Sequence, residues 1–174
     1  MDTALSTFTM NNVAVRSCMS YSLLRRYFAN REVLVEALVA RSSELSKAFV
    51  DDAIMRFAKH ATLASISELG ISYSEFLTRH YGLYCAWFMA PAVFERYRAP
   101  IQNNGALLNL LIGSMFRQAS AGRLKAAESE RIGRVFLDAL SGWVSRQQRG
   151  AFLVAMPVEQ SIKDIVQLLH RDVG

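Results

Sequence analysis

The chain has 174 residues, of which 52% are hydrophobic and 20% charged, so it is long enough for a packed core and unlike the polar composition of disordered segments. It is too short for a (β/α)₈ barrel. Twenty Lys and Arg residues against fifteen Asp and Glu give a formal net charge of +5, an excess that suits a nucleic acid or another anionic surface as a partner.

The N-terminal segment from Thr9 to Arg31 is basic and contains no carboxylate. Thr9 and Ser20 are each suited to cap a short helix. The first helix is predicted to contain Val13 and Ala14, and the second Leu24, Tyr27 and Phe28. Two short helices joined by a tight turn have the layout of a helix-turn-helix, whose second helix lies in the major groove of DNA. The same spacing fits an ordinary helical hairpin with solvated arginines, and spacing alone leaves both open.

The middle of the chain is also predicted to be helical, because its apolar residues recur at three- and four-residue steps. The stretch from Glu32 to His60 fits one long helix or two. The segment from Ala61 to Ile71 contains Gly70 and is predicted to be a joint. Ser72 and Glu75 form a Ser-x-x-Glu capping box, which predicts a helix that begins at Tyr73. Pro91 is expected to end it, since the residue before a proline is disfavoured in a helix.

Three further helices are predicted toward the C-terminus, and they make the predicted fold all-α. The first runs from about Pro100 to Ala121, with Gly105 and Gly113 weakening it and Gly122 as a left-handed stop. The other two show clear apolar stripes and run from Ala126 to Gln147, with Gly133 as a weak point, and from Val158 to His170 after Pro157.

Cysteine usage and hydropathy favour a soluble cytoplasmic protein. Cys18 and Cys85 are isolated thiols without the spacing of a disulfide framework or a zinc site. The first residues lack the pattern of a signal peptide, and the most apolar stretch, Leu83 to Val93, is too short to cross a bilayer. Enzyme motifs are not recognised, and His60, His80 and His170 are scattered, so catalysis is the least favoured class and no cofactor or metal is predicted.

Residues 9–34 carry a specific pattern. Its matching positions are Thr9, Val13, Ala14, Ser20, Leu24, Tyr27, Phe28, Glu32 and Leu34, with Arg31 in place of a lysine. This pattern resembles the DNA-binding signature of the tetracycline-repressor (TetR/AcrR) family. Departures from the signature are Cys18 for the turn glycine, Met19 for a valine, Ser22 for a second glycine, Leu23 for a threonine and Arg25 for a tyrosine. A looser similarity to the regulatory domain of the family runs over Leu124 to Gly142.

The resemblance implies a helix-turn-helix domain over residues 1–47 and a regulatory, ligand-binding and dimerisation domain over residues 48–174. Only Asp2 to Phe8 precede Thr9, so the first helix of the family is expected to be shortened or to begin upstream. The expected DNA-binding residues are Thr9, Ser20, Tyr21, Ser22, Arg25, Arg26, Tyr27 and Arg31. Among them, Tyr21 and Ser22 are expected to face bases, and the arginines to hold phosphates. Cys18 is expected to be strained if its position needs a positive φ.

The resemblance also implies a homodimer and a pocket for a small-molecule effector. The pocket is expected between the helices that begin at Tyr73 and near Ile101. Its predicted lining is His80, Tyr81, Tyr84, Trp87, Phe88, Leu111, Met115 and Phe116. The predicted dimer interface comprises Phe136, Leu140, Trp143, Ile162, Val166 and Leu169 on the last two helices. Both sets also fit the ordinary core of a monomer.

The hypothesis from the sequence is therefore a ligand-responsive transcription regulator, a repressor, that binds a double-stranded DNA operator as a homodimer. The alternative is a dimeric small-molecule-binding or interaction protein that keeps this fold but has lost DNA binding through its shortened N-terminus. Binding to an anionic membrane surface requires a continuous basic face. The arginines are clustered in the N-terminal segment instead.

Overall fold

The structure is a computed structural model that describes residues 8–59, 61–86, 91–148, 150 and 157–171, with the backbone alone at 91–94. Within these ranges α-helix is the regular secondary structure and no strand occurs, which confirms the predicted all-α class. The helices are α1 (Met10–Arg16), α2 (Tyr21–Tyr27), α3 (Arg31–Phe57), α4 (Leu63–Arg79), α5 (Tyr81–Ala86), α6 (Pro91–Ala119), α7 (Ala126–Gln148) and α8 (Val158–Arg171).

The chain divides into two compact units. The first comprises Met1–Glu44 and Gly82–Ala99, and the second comprises Leu45–Tyr81 and Pro100–Gly174. The first unit is thus built from two separate segments of the chain. Hydrophobic periodicity along the sequence does not reveal such a combination. The functional domains expected at 1–47 and 48–174 stay predictions, and Asp2 to Thr7 lie outside the described residues.

The helix α3 is a single helix, which decides between the two alternatives for this stretch. Asn30 Oδ1 accepts a hydrogen bond from the Val33 N–H at 2.9 Å, so the side chain satisfies one of the free donors at the helix start. Glu32 lies in the first turn and Arg56 in the last, where their charges complement the helix dipole.

The start of α4 corrects two predictions. Thr62 and Ser65 form a reciprocal capping box: Thr62 Oγ1 accepts from the Ser65 N–H at 3.1 Å, and Ser65 Oγ accepts from the Thr62 N–H at 2.8 Å. The helix therefore begins at Leu63, and the prediction of a start at Tyr73 is wrong because Ser72 lies in mid-helix. The joint predicted from Ala61 to Ile71 is wrong for the same reason.

Gly70 is needed for packing in the core of the second unit. A Cβ at this position would lie 2.8 Å from Phe136 Cζ and 2.9 Å from Ile162 Cγ2, so the glycine lets α4 approach α7 and α8 closely. The largest fully buried side chains of this core are Ile66, Leu69, Ile112, Met115, Phe116, Phe136, Leu140, Ile162 and Val50. Phe116 and Phe136 meet edge to face, with ring centroids 5.9 Å apart.

The two predicted helix limits at prolines are also corrected. The helix predicted to continue to Pro91 ends at Arg79, where the His80 N–H donates to the Phe76 carbonyl, and the short helix α5 follows. Pro91 begins α6 instead of ending a helix, a position where its missing N–H costs nothing. Pro100, near which a helix was predicted to begin, lies inside α6.

The C-terminal part agrees well with the sequence. The observed bounds of α7 and α8 differ from the predicted ones by one residue at their C-terminal ends. The left-handed stop after α6 is confirmed: Gly122 has φ +78°, and Ala121 before it has φ +53°. None of the helices in the described ranges combines the length and the apolar content that a membrane crossing requires.

Gly113 of α6 and Gly133 of α7 lie where the two helix backbones approach closely. A Cβ on Gly113 would lie 2.7 Å from the Ser129 carbonyl oxygen, and one on Gly133 would lie 2.7 Å from the Asn109 carbonyl oxygen. The sequence identified both glycines only as weak points of their helices. In the structure they permit a contact that no larger residue allows.

Candidate functional site

The two short helices expected near the N-terminus are present with the expected caps. Thr9 Oγ1 accepts from the Asn12 N–H at 3.2 Å and begins α1, while Ser20 Oγ accepts from the Leu23 N–H at 3.2 Å and begins α2. α1 and α2 pack against each other. Ala14 on α1 and Leu24 on α2 are each 2% exposed, and they are the buried residues of these two helices. Thr9 and Ser20, both expected at the DNA, thus also set where the helices begin.

The turn between α1 and α2 is a Schellman motif. The Cys18 N–H donates to the Val15 carbonyl and the Met19 N–H to the Ala14 carbonyl, which satisfies carbonyls at the end of α1. Cys18 stands at the left-handed position with φ +54°, as expected for a residue that replaces a turn glycine. A side chain at this position costs roughly 1–2 kcal/mol relative to glycine.

Replacing Cys18 with glycine is therefore expected to stabilise the protein. The relief of left-handed strain exceeds the extra backbone entropy that glycine loses, roughly 0.4–1 kcal/mol, and leaves a gain of about 1 kcal/mol. Thermal unfolding followed by circular dichroism should show an increase in Tm of roughly 2–4 °C.

Ala121→Gly is the matched control, because Ala121 occupies the equivalent left-handed position after α6, with its N–H donating to the Gln118 carbonyl. Both variants should raise Tm by similar amounts. A lower Tm for Cys18→Gly would show that the thiol makes a contact worth more than the strain.

The arginines of this segment have no ion pair with an acidic side chain in the part of the chain that the structure describes. In the described ranges, ion pairs join Arg41 to Glu44, Lys47 to Asp51, Arg56 to Asp52 and Glu68, Arg96 to Glu36, and Arg98 to Glu95. None of these involves Arg16, Arg25, Arg26 or Arg31. The first three are exposed, and Arg25 Nη2 donates to the carbonyl of Ala29 at 3.0 Å. The structure thus leaves a set of cations available to an external anion.

Arg31 has a structural contact that competes with the phosphate role expected for it. Its Nε donates to the Phe8 carbonyl at 3.2 Å, and its guanidinium carbon lies 5.7 Å from the centre of the Phe8 ring. The side chain thereby ties the residues before α1 to the start of α3.

The other expected DNA-binding residues lie on the surface of α2. Tyr21 is 45% and Tyr27 69% exposed, and Ser22 is exposed with its Oγ 3.1 Å from Ser20 Oγ. Sequence reasoning did not select Arg16 or Leu23 as site residues, although both are exposed beside this group. Arg16 belongs to the same carboxylate-free segment, and this membership could have identified it as a site residue.

The expected effector pocket is only partly within the described residues. Trp87 and Phe88 lie outside them. Tyr84 belongs to the first compact unit, whereas the second contains His80, Tyr81, Leu111, Met115 and Phe116. Leu111, Met115 and Phe116 are buried in the core of the second unit. Among the expected polar contacts, Tyr81 Oη lies 3.3 Å from Ser145 Oγ, and the His80 ring lies 5.1 Å from the Phe76 ring.

Most of the expected dimer-interface residues also lie in the core. Phe136, Leu140, Ile162 and Val166 are at most 2% exposed within the single chain, so their side chains pack against its own helices. Trp143 and Leu169 are half-buried. The large apolar side chains that α7 and α8 expose are Val135, at 47%, and Leu168, at 61%. The apolar stripe of each helix therefore packs in the core of the chain, and Val135 and Leu168 lie beside the stripe.

No protein-family model matches the sequence, and no curated protein matches it. The proposed function therefore depends on the pattern of residues 9–34 and on the geometry of α1, α2 and the turn between them.

Proposed function

We propose that this protein is a transcription regulator, similar in design to the TetR family, that binds operator DNA as a homodimer and responds to a small molecule. The supporting observation is that α1 and α2, with their Schellman turn, carry exposed arginines that have no acidic partner in the described part of the chain. A short helix fixed at its base by Leu24 and exposed elsewhere is suited to enter a major groove.

In this proposal, two kinds of contact to DNA have different roles. Arg16, Arg25 and Arg26 neutralise phosphates, which gives affinity that depends on salt and is the same for all sequences. Tyr21 and Ser22 in the first turn of α2 reach base edges and give sequence preference. Arg31 contributes by holding the segment in place through Phe8.

The test of the proposed function is selection of DNA by the purified full chain from a random pool, followed by fluorescence anisotropy with the enriched sequence and a shuffled copy. We expect the enriched sequence to bind at least 10³-fold more tightly than the shuffled one at a fixed salt concentration. Equal affinity for both would favour the alternative, a small-molecule-binding or interaction protein that has lost operator recognition.

The proposed dimer is tested by a substitution on α8. Leu168→Asp is expected to raise the dissociation constant of the dimer at least tenfold, because an exposed leucine would be exchanged for a charge that must be desolvated in the interface. Sedimentation equilibrium measures this constant. Leu110→Asp is the control, since Leu110 on α6 is also exposed, at 51%. If both variants leave the sedimentation profile unchanged, α8 is not part of a dimer contact.

A further inference from the structure

We propose that a groove in the second unit binds a small anionic amphiphile, a carboxylate attached to an aliphatic chain. The groove, called here the α7–α8 groove, is lined by the residues that lead into α7, by the first three turns of α7 and by the last turn of α8. Its volume is about 480 Å³, within the range of roughly 300–1,000 Å³ typical of small-molecule sites. It shares no residue with the expected effector pocket.

The charged lining of the groove favours an anion. Arg123, Lys125 and Arg131 contribute three cations, and Glu128 contributes the one carboxylate. That carboxylate is engaged at the start of α7, where Glu128 Oε2 accepts from the Lys125 backbone N–H at 2.9 Å. In the described residues, none of the three cations forms an ion pair with it or with another carboxylate.

One of the cations is held in position by the backbone. Arg123 Nε donates to the Ser120 carbonyl at 3.1 Å, which fixes the direction of the side chain and leaves its terminal nitrogens for a ligand. An arginine held in this way is suited to pair with a carboxylate through two parallel hydrogen bonds. Arg131 is exposed one turn along α7 from Glu128.

The rest of the lining is apolar, which favours an amphiphile over a simple inorganic ion as the ligand. Leu124 and Ile132 are each 6% exposed and belong to the core, while Leu169 is half-buried. Val135 is 47% exposed, so an aliphatic chain in the groove would remove apolar surface from water. A carboxylate with a short aliphatic chain matches both parts of the lining, and an ion without such a chain matches only the first.

The experiment uses the full chain without DNA, so its result is independent of the proposed regulator function. Equilibrium dialysis with labelled octanoate, 1-octanol and acetate separates the contributions of charge and chain. We expect one octanoate per chain, at least tenfold weaker binding of 1-octanol, and no measurable binding of acetate. Equal binding of octanoate and 1-octanol would overturn the proposal, because the cations would then have no part in it.

Two variants and one control variant locate the bound octanoate. Arg131→Gln is expected to weaken octanoate binding at least tenfold, whereas Arg134→Gln, which removes an exposed arginine of the same helix that does not line the groove, should leave it unchanged. Val135→Asp is expected to abolish binding by placing a carboxylate against the apolar part of the ligand. Circular dichroism checks that each variant is folded. Octanoate binding that none of the folded variants alters would contradict the assignment to this groove.

Discussion

Gly133→Ala is expected to lower the free energy of unfolding by about 2 kcal/mol. The new methyl group would lie 2.7 Å from the Asn109 carbonyl oxygen and would also clash with Asn109 Oδ1. The carbonyl belongs to the backbone of α6 and moves only if the helix moves, and overpacking of this kind costs roughly 1–3 kcal/mol. Urea unfolding followed by circular dichroism measures the loss, which corresponds to a decrease in Tm of roughly 4–8 °C.

Gly142→Ala is the matched control for this prediction. Gly142 lies in the same helix, is exposed, and has no atom within 4 Å of the position that a Cβ would take. Alanine there should raise stability by up to about 1 kcal/mol through helix propensity alone. The two substitutions are thus expected to have opposite signs. A stabilising Gly133→Ala would show that α6 and α7 are not in close contact.

The double substitution Arg16→Ala and Arg26→Ala is expected to have the largest effect on DNA binding. In a dimer it removes four phosphate contacts, and each contributes about 0.9 to the slope of log K against log salt concentration. The slope should therefore become less steep by about 3.6. Raising the salt concentration from 50 to 200 mM should therefore lower the affinity of the variant by a factor that is roughly 100 times smaller than the factor for the wild type. Anisotropy titrations with operator and shuffled DNA measure both quantities.

A control with the same loss of charge distinguishes local contacts from net charge. Arg134→Ala with Arg146→Ala removes two exposed arginines of α7. It should change the slope little, because these side chains are not placed at the duplex in the proposed arrangement. If the control reduces the slope as much as the N-terminal double substitution, binding follows from overall charge and the proposed role of α1 and α2 is incorrect.

The parts of the fold that follow from local chemistry could be predicted from the sequence. Thr9 and Ser20 each directly precede a predicted short helix, and their hydroxyl groups cap these helices. Pro157 directly precedes α8. Cys18 occupies a glycine position of the family pattern, and its positive φ follows from the geometry of the turn.

Two features of α4 could not be predicted from the sequence: a cap of unusual composition and a packing contact between distant residues. The capping box at Thr62 uses Ser65 in place of the glutamate that makes the pattern at Ser72 conspicuous. In the sequence, Gly70 is typical of a break between helices. The close approach of Phe136 and Ile162 shows that this glycine instead permits α4 to pack against α7 and α8.

In the candidate sites, too, some features could be predicted from the sequence and others depend on contacts in the fold. The basic run of the N-terminal segment was visible because charge is a property of the sequence, but the engagement of Arg31 by Phe8 depends on a contact across 23 positions. The stripes of α7 and α8 indicated which residues are apolar. They did not distinguish a face that packs within the chain, such as that of Phe136, from the exposed residues Val135 and Leu168.

The central claim, that α2 lies in the major groove, is tested most directly by affinity cleavage. A single cysteine at Ser22→Cys, in a background with Cys18→Gly and Cys85→Ala, carries an iron chelate that cleaves nearby DNA, and Gln160→Cys on α8 provides the control. We predict cleavage of the enriched operator at two positions separated by about one helical turn, or a multiple of it, from Ser22→Cys alone. No cleavage from Ser22→Cys in a complex that still binds, or equal cleavage from both sites, would contradict the account.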